Sequence, residues 1–75
     1  MTRAANKASR LIQIENLLLT HPEGMTQAEI ARQVGVNRST INRDIPSLPG
    51  SIYFENDGRW KIDRTADLIH IRLNL

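Results

Sequence analysis

The feature that most constrains the fold is the stretch of residues 25–45, MTQAEIARQVGVNRSTINRDI, which has the pattern of two short helices joined by a turn. Thr26 is a favourable N-cap, and Glu29 follows at the spacing of a capping box. Gly35 comes just after the last apolar position of the first helix, where a left-handed C-cap is favoured. Asn37 can cap the second helix. The spacing therefore predicts two helices separated by about three residues, the geometry of a helix-turn-helix.

The second helix has a polar and basic face. At about 100° per residue, Ile41 and Ile45 fall on one side and face the core. The other sides carry hydroxyl, amide and guanidinium groups, on Arg38, Ser39, Thr40, Asn42 and Arg43. Such groups read base edges and grip phosphates, although any solvated helix face also carries them. Within a complete helix-turn-helix pattern we interpret them as a DNA-binding face, and we leave open whether Arg43 reads a base or holds a phosphate.

Two residues near the end of this helix limit the interpretation. Asp44 would repel phosphate, but it lies beside the apolar stripe, and we expect it to pair with Arg32 or Arg38. Pro46 lacks an amide hydrogen and disfavours helical geometry at the preceding residue. We therefore expect the helix to end or to kink at Pro46.

A hairpin is predicted after the second helix. Residues 52–55 and 59–63 alternate apolar and polar side chains around Asn-Asp-Gly, a sequence typical of a tight turn with Gly at positive φ. The apolar face consists of Ile52, Phe54, Trp60 and Ile62, and we expect it to pack on the helices. In a winged helix this hairpin lies beside the recognition helix. Asn56, Arg59 and Lys61 are then placed to contact the sugar-phosphate backbone or the minor groove, or else to form a plain solvated surface.

The chain begins with a predicted helix over about residues 5–20, whose apolar positions Leu11, Ile14, Leu17 and Leu18 cover the helix-turn-helix. Lys7 and Arg10 open this helix, and we expect them to hold phosphates. His21 can donate to the last carbonyls of the helix, which we favour over a metal role because the other histidine, His70, is distant in sequence.

The predicted fold class is mainly α with a small β-hairpin, a winged helix-turn-helix of three helices and a two-stranded wing. We assign residues 1–66 to this domain. Residues 67–75 alternate apolar and polar side chains and predict an extended strand or a linker. Such an apolar strand calls for a partner, which is the hairpin, a second copy of the chain or a missing C-terminal region.

The stretch VNRSTINRDIPSL resembles the recognition-helix signature of DeoR-type winged-helix repressors and of the N-terminal domain of WYL-domain transcription regulators, with Thr40-Ile41 and Arg43-Asp44-Ile45 in matching places. The first predicted helix, the TQAEIARQVGV segment, the hairpin after Gly50 and the LIHIRLNL tail are similar to the WYL arrangement, so the resemblance covers nearly the whole chain. Pro46 departs from such families, which continue the helix there. The resemblance implies a dimeric regulator with a C-terminal ligand-sensing domain that is absent from this chain.

Composition excludes several function classes. The chain of 75 residues has no cysteine, which removes disulfide scaffolds, zinc fingers and thiol catalysis. Ten Lys and Arg against eight Asp and Glu give a net charge of +2. Apolar runs are too short to cross a membrane, so we expect a cytoplasmic protein. We expect no cofactor and no metal, and no enzyme activity because no acid-base pair or phosphate loop is present.

Sequence-specific binding of double-stranded DNA, as part of a transcriptional regulator, is the leading function. The main alternative is a winged-helix protein-interaction module, in which the C-terminal strand adds to a partner's sheet. Binding of structured RNA is a third possibility. Gel shifts with duplex DNA and competition with RNA separate the three.

Overall fold

Three helices and one hairpin make up the part of the chain that the computed structural model describes, residues 6–63. In chain order they are α1 (Lys7–Thr20), α2 (Gln27–Val34), α3 (Arg38–Asp44), a short 3-10 helix (Ile45–Ser47), β1 (Ile52–Phe54) and β2 (Trp60–Ile62). The predicted fold class, three helices with a two-stranded wing, is confirmed. The predicted strand or linker at residues 67–75, and the boundary assigned at residue 66, lie outside the described residues.

Capping residues fix the ends of α2 as the sequence predicts. The Glu29 amide donates to Thr26 Oγ1 at 3.2 Å, and the Thr26 amide donates to Glu29 Oε1 at 2.9 Å, which completes the capping box. Gly35 ends the helix with φ at +86°, a conformation that glycine adopts without strain. Asn37 precedes α3 as expected, but its side chain accepts no capping hydrogen bond. Pro46 converts the end of α3 into the 3-10 helix.

The core forms where the three helices meet the base of the hairpin. It contains Ile14, Leu18, Met25, Ile30, Ala31, Val34, Ile41, Ile52 and Ile62. On α1, Leu17 and Leu19 pack against this core from its edge, whereas Leu11 is half-buried and Ile12 is 61% exposed. The helical spacing therefore predicts the buried face of α1 correctly at its centre.

The hairpin is antiparallel, with Ile52 opposite Ile62 and Phe54 opposite Trp60. Gly58 closes the turn with φ at +83°, as predicted. The prediction that the whole apolar face packs on the helices is wrong at Phe54, which is 57% exposed. Burial decreases from the Ile52–Ile62 pair toward the turn, and the Phe54 ring rests on Trp60 instead, with the ring centroids 5.0 Å apart.

A backbone bridge that the sequence did not predict attaches the hairpin to the loop between α1 and α2. The Met25 amide donates to the Trp60 carbonyl at 3.0 Å, and the Trp60 amide donates to the Met25 carbonyl at 2.7 Å. Trp60 is half-buried and packs against the core, as expected, and its Nε1 is buried without a hydrogen-bond partner among the described residues. The bridge fixes the position of the wing relative to the helices.

Candidate nucleic-acid interface

The side chains expected to contact DNA from α3 lie on its solvent side. Ile41 is completely buried at the back of the helix. The side chains that point elsewhere are exposed or half-buried and are Arg38, Ser39, Thr40, Asn42 and Arg43. None of these five side chains forms a hydrogen bond or an ion pair with any other residue in 6–63. Their polar groups are therefore available to an external ligand.

Backbone hydrogen bonds hold α3 at a fixed position relative to α2. In the turn, the amides of Gly35 and Val36 both donate to the Ala31 carbonyl, at 2.8 and 3.0 Å. At the start of the two helices, Gln27 Nε2 donates to the Arg38 carbonyl at 3.2 Å. These hydrogen bonds to α2 and the burial of Ile41 together set the orientation of the short helix α3.

The sides of α3 that point away from Ile41 form two flanks. At about 100° per residue, Thr40, Arg43 and Asp44 share the flank toward α1. These three residues, together with Lys7 and Arg10, line a cleft of about 420 Å³ between the start of α1 and α3. Arg38 and Asn42 lie on the opposite flank, and Ser39 lies between the two. The structure thus brings the expected residues of α1 together with only part of the α3 set.

A buried ion pair closes the floor of this cleft. Arg10 donates from Nε to Asp44 Oδ2 at 2.6 Å and from Nη2 to Asp44 Oδ1 at 3.1 Å. Asp44 is only 1% exposed. The prediction that Asp44 pairs with Arg32 or Arg38 is wrong, because the carboxylate lies on the α1 side of the helix. Asp44 occupies two of the five N–H donors of Arg10 and leaves three, two on Nη1 and one on Nη2.

The ion pair changes the pKa of both partners. The hydrogen bonds from the Arg10 guanidinium lower the pKa of the Asp44 carboxyl, and the positive charges of Lys7 and Arg43 act in the same direction. The hydrogen bond to Asp44 in turn raises the pKa of Arg10. Burial opposes both shifts because it disfavours the charged forms. Asp44 is therefore held ionised.

Acid is expected to weaken the fold through Asp44. Because the folded-state pKa lies below the ordinary value of 3.8, the unfolded chain binds the proton more tightly, and the stabilising contribution is complete only above that value. It is lost as the pH falls through the lowered pKa. Urea unfolding between about pH 5 and pH 2 measures this loss, and Asp44→Asn is expected to show a shallower dependence. An identical dependence in the variant would show that Asp44 does not contribute.

The cations expected to act from the wing are engaged with carboxylates or carbonyls of the chain itself. Arg59 Nη1 donates to the Gly24 carbonyl at 2.9 Å and lies 3.4 Å from Glu29 Oε1. Lys61 Nζ lies 2.9 Å from Asp57 Oδ2 and 3.7 Å from Glu55 Oε1. The hydrogen bond between Lys61 and Asp57 lowers the pKa of the Asp57 carboxyl and raises the pKa of the Lys61 ammonium group.

Of the three wing residues expected to contact DNA, only Asn56 has no partner of its own within the described part of the chain, and it is exposed in the turn. Residues 52–63 carry three carboxylates against two cations. The start of α1 and the whole of α3 instead carry four cations, Lys7, Arg10, Arg38 and Arg43, against one carboxylate, the buried Asp44. Uncompensated positive charge is therefore concentrated at α1 and α3 rather than at the wing.

Within residues 6–63, no group of three or more His, Cys, Asp or Glu side chains is placed to hold a metal ion. In that same part of the chain, no helix combines the length and the apolar character needed to span a membrane. His21 lies where its capping role was expected, with Nδ1 2.7 Å from the Leu17 carbonyl. Because a carbonyl only accepts hydrogen bonds, Nδ1 carries the hydrogen in this contact.

Comparison with known proteins identifies the family. A family model described as an HTH domain matches residues 10–53, which is more than half of the chain and extends from α1 into β1. A search of curated proteins and a search of solved structures each found no match. The chain belongs to this family of helix-turn-helix domains. The family match confirms the prediction from residues 25–45 that the chain contains a helix-turn-helix domain of the DNA-binding kind.

Proposed function

We propose that this helix-turn-helix domain binds specific sequences of double-stranded DNA, with α3 in the major groove, as the DNA-binding part of a transcriptional regulator. The observation that carries the proposal is the surface of α3. Its back is fixed by the fully buried Ile41, while its front presents polar side chains that have no partner among residues 6–63. An exposed, rigidly held helix with unpaired donors and acceptors is what major-groove recognition requires.

The base-reading part of the surface is assigned to the flank of α3 that faces away from α1. Asn42 can donate and accept at once, which suits adenine, and Arg38 presents a planar fork that suits guanine. Ser39 lies between the flanks and can contact either a base or a phosphate. Asn56, Arg59 and Lys61 act from the wing on the backbone or the minor groove, which requires Lys61 to exchange Asp57 for a phosphate.

Duplex binding is tested with the whole chain by selecting bound sequences from a random pool and measuring affinity against salt. With roughly six phosphate contacts, affinity is expected to fall by about a thousandfold between about 50 and 200 mM salt. Enrichment of one sequence class shows specificity, and half-sites about 34 Å apart would show a dimer. A chain that selects nothing and binds duplexes with no salt dependence would contradict the proposal.

Asn42→Ala is expected to weaken binding to the selected duplex by about tenfold and binding to random duplex much less, because a base-reading amide contributes mainly on the correct sequence. Fluorescence anisotropy with both duplexes measures the two losses. Asn16→Ala, which removes an exposed asparagine from α1, is the matched control and is expected to leave both affinities unchanged. Equal losses on the two duplexes would assign Asn42 to the backbone instead.

The resemblance to DeoR-type and WYL-domain regulators supports a wider role. We propose that the full protein acts as a homodimer and that a ligand-sensing domain controls its binding to DNA. The support is the similarity of VNRSTINRDIPSL to their recognition helices. Hydrodynamic measurement of the full protein, with and without a selected duplex, tests the dimer directly.

A second candidate function, protein docking, is favoured by the aromatic surface of the hairpin. Phe54 and Tyr53 are both exposed, and Phe54 rests on Trp60. Exposed aromatic side chains are frequent in protein interfaces. The duplex experiment separates the two functions, because a docking module has no reason to bind duplexes in a salt-dependent manner.

A further inference from the structure

We infer that the cleft between the start of α1 and α3 is a binding site for one phosphodiester group of the DNA backbone, with Lys7 and Arg43 as its cationic ligands. This inference rests on the proposed duplex binding and adds the place and the residues of one contact. It also decides the role of Arg43, which the sequence left open between base reading and phosphate binding.

The size and the lining of the cleft fit a phosphodiester group. Its volume is about 420 Å³, and it is lined by Lys7, Arg10, Thr40, Arg43 and Asp44. One water occupies roughly 30 Å³ in the liquid, so the cleft has room for a phosphodiester group with several waters. The lining supplies ammonium, guanidinium and hydroxyl donors, which are the groups that bind phosphate oxygens.

Three of the donor groups that line the cleft form no hydrogen bond or ion pair within the described chain. Lys7 Nζ and the Arg43 guanidinium form no ion pair and no hydrogen bond with residues 6–63, and neither does the Thr40 hydroxyl. Lys61 and Arg59 on the wing differ in this respect, because each already lies next to a carboxylate. A phosphate entering the cleft therefore gains hydrogen bonds without breaking any that the protein makes itself.

Asp44 does not prevent an anion from binding there. It is the one carboxylate lining the cleft, and both of its oxygens accept hydrogen bonds from Arg10. The pair is neutral as a unit, so the net charge that remains in the lining comes from Lys7 and Arg43. Arg10 and Asp44 act as positioning residues, because their two hydrogen bonds join α1 to α3 and fix the width of the cleft.

The position of Lys7 adds a smaller favourable effect. Lys7 is the first residue of the 14-residue helix α1, whose amino end carries partial positive charge from its aligned peptide dipoles. One of the unpaired amides there is satisfied, because the Ser9 amide donates to Asn6 Oδ1 at 2.9 Å. The helix end and the two side-chain cations thus attract the same negatively charged group.

The test replaces the phosphates of a selected duplex one at a time by uncharged methylphosphonates and measures binding by the whole chain. At one position the replacement is expected to weaken wild-type binding by about tenfold, the value for loss of a charged hydrogen-bonded contact. In Lys7→Met and Arg43→Met, the same replacement is expected to weaken binding less than it does in the wild type, and in the double variant by less than about twofold. Because both cations serve one phosphate, the double variant is expected to lower the slope of log affinity against log salt by about 0.9, and each single variant by less.

Arg32→Met is the matched control, because Arg32 is an exposed arginine on α2 outside the cleft. It is expected to keep the full methylphosphonate effect and the full salt slope. Thermal unfolding of each variant verifies that the fold is intact, and methionine is chosen because it preserves the apolar stem and favours helix. If Lys7→Met and Arg43→Met keep the full effect at every position, the cleft is not the phosphate site although duplex binding stands. A wild-type chain that binds no duplex overturns both the cleft and the proposed function.

Discussion

Gly24→Ala is expected to lower the free energy of unfolding by about 3 kcal/mol, from two separate causes. Gly24 has φ at +86°, where a side chain strains the backbone. A Cβ atom there would also lie 2.9 Å from the Trp60 carbonyl oxygen and 2.7 Å from Lys61 Cγ. The lysine stem can move, but the carbonyl is held by the Met25 bridge. The hairpin must therefore shift away from the loop between α1 and α2.

Two other glycines separate the two causes. Gly58 has nearly the same φ, +83°, but an added Cβ meets nothing within 4 Å, so Gly58→Ala is expected to cost only about 1 kcal/mol. At Gly50 the φ is ordinary and the space is also open, and alanine is expected to change stability by less than about 0.5 kcal/mol. Urea unfolding followed by the fluorescence of Trp60, the single tryptophan, measures all three. Equal losses of unfolding free energy in Gly24→Ala and Gly58→Ala would show that the close approach to Trp60 does not contribute to the destabilisation.

The sequence predicted the features that depend on residues close to one another in the chain. The capping box of α2 joins residues three apart, and the left-handed conformations at Gly35 and Gly58 follow from their own backbone. Pro46 acts on its immediate neighbours. In each case the physical cause lies within one turn of helix or one tight turn, so the pattern of residue types is sufficient.

The polar contacts between distant segments were not predicted. Arg10 and Asp44 are 34 residues apart, and the bridge between Met25 and Trp60 depends on how the hairpin docks. A charged residue beside the core stripe of α3 did signal that Asp44 needs a cation. The choice among Arg10, Arg32 and Arg38 required the crossing of α1 over α3, which residue types alone do not specify.

In the candidate site, too, local features could be predicted from the sequence, whereas contacts that depend on the fold could not. The exposure of the α3 face followed from helical spacing around Ile41. Helical spacing could not predict whether each cation of the wing is paired with a carboxylate. Arg59 and Lys61 occupy the same positions in the hairpin sequence in either case. Their contacts with Glu29 and Asp57 depend on three-dimensional placement. As a result, free cations lie in the cleft and on α3, whereas the cations of the wing lie next to carboxylates.

Ile41→Ala is expected to lower the free energy of unfolding by about 3 kcal/mol, because the side chain is completely buried and its loss leaves a cavity beneath α3. Native domains have stabilities of about 5 to 15 kcal/mol, and a small core places this chain toward the lower end. The variant is therefore expected to retain only about 2 kcal/mol of a stability of about 5 kcal/mol and to unfold at a lower temperature. Thermal unfolding followed by circular dichroism measures the loss.

Ile12→Ala provides the matched control, since it makes the same substitution on α1 at a side chain that is 61% exposed. It is expected to change stability by less than about 0.5 kcal/mol, because little apolar surface is lost and alanine favours helix. Ile41→Val, which removes one methylene, is expected to cost about 1 kcal/mol and to leave the fold intact. The affinity of the Ile41→Val variant for a selected duplex then shows how strongly recognition depends on the packing of α3 against the core. Similar losses for Ile41→Ala and Ile12→Ala would mean that α3 is not anchored through Ile41, and the rigid presentation of its polar face would lose its physical basis.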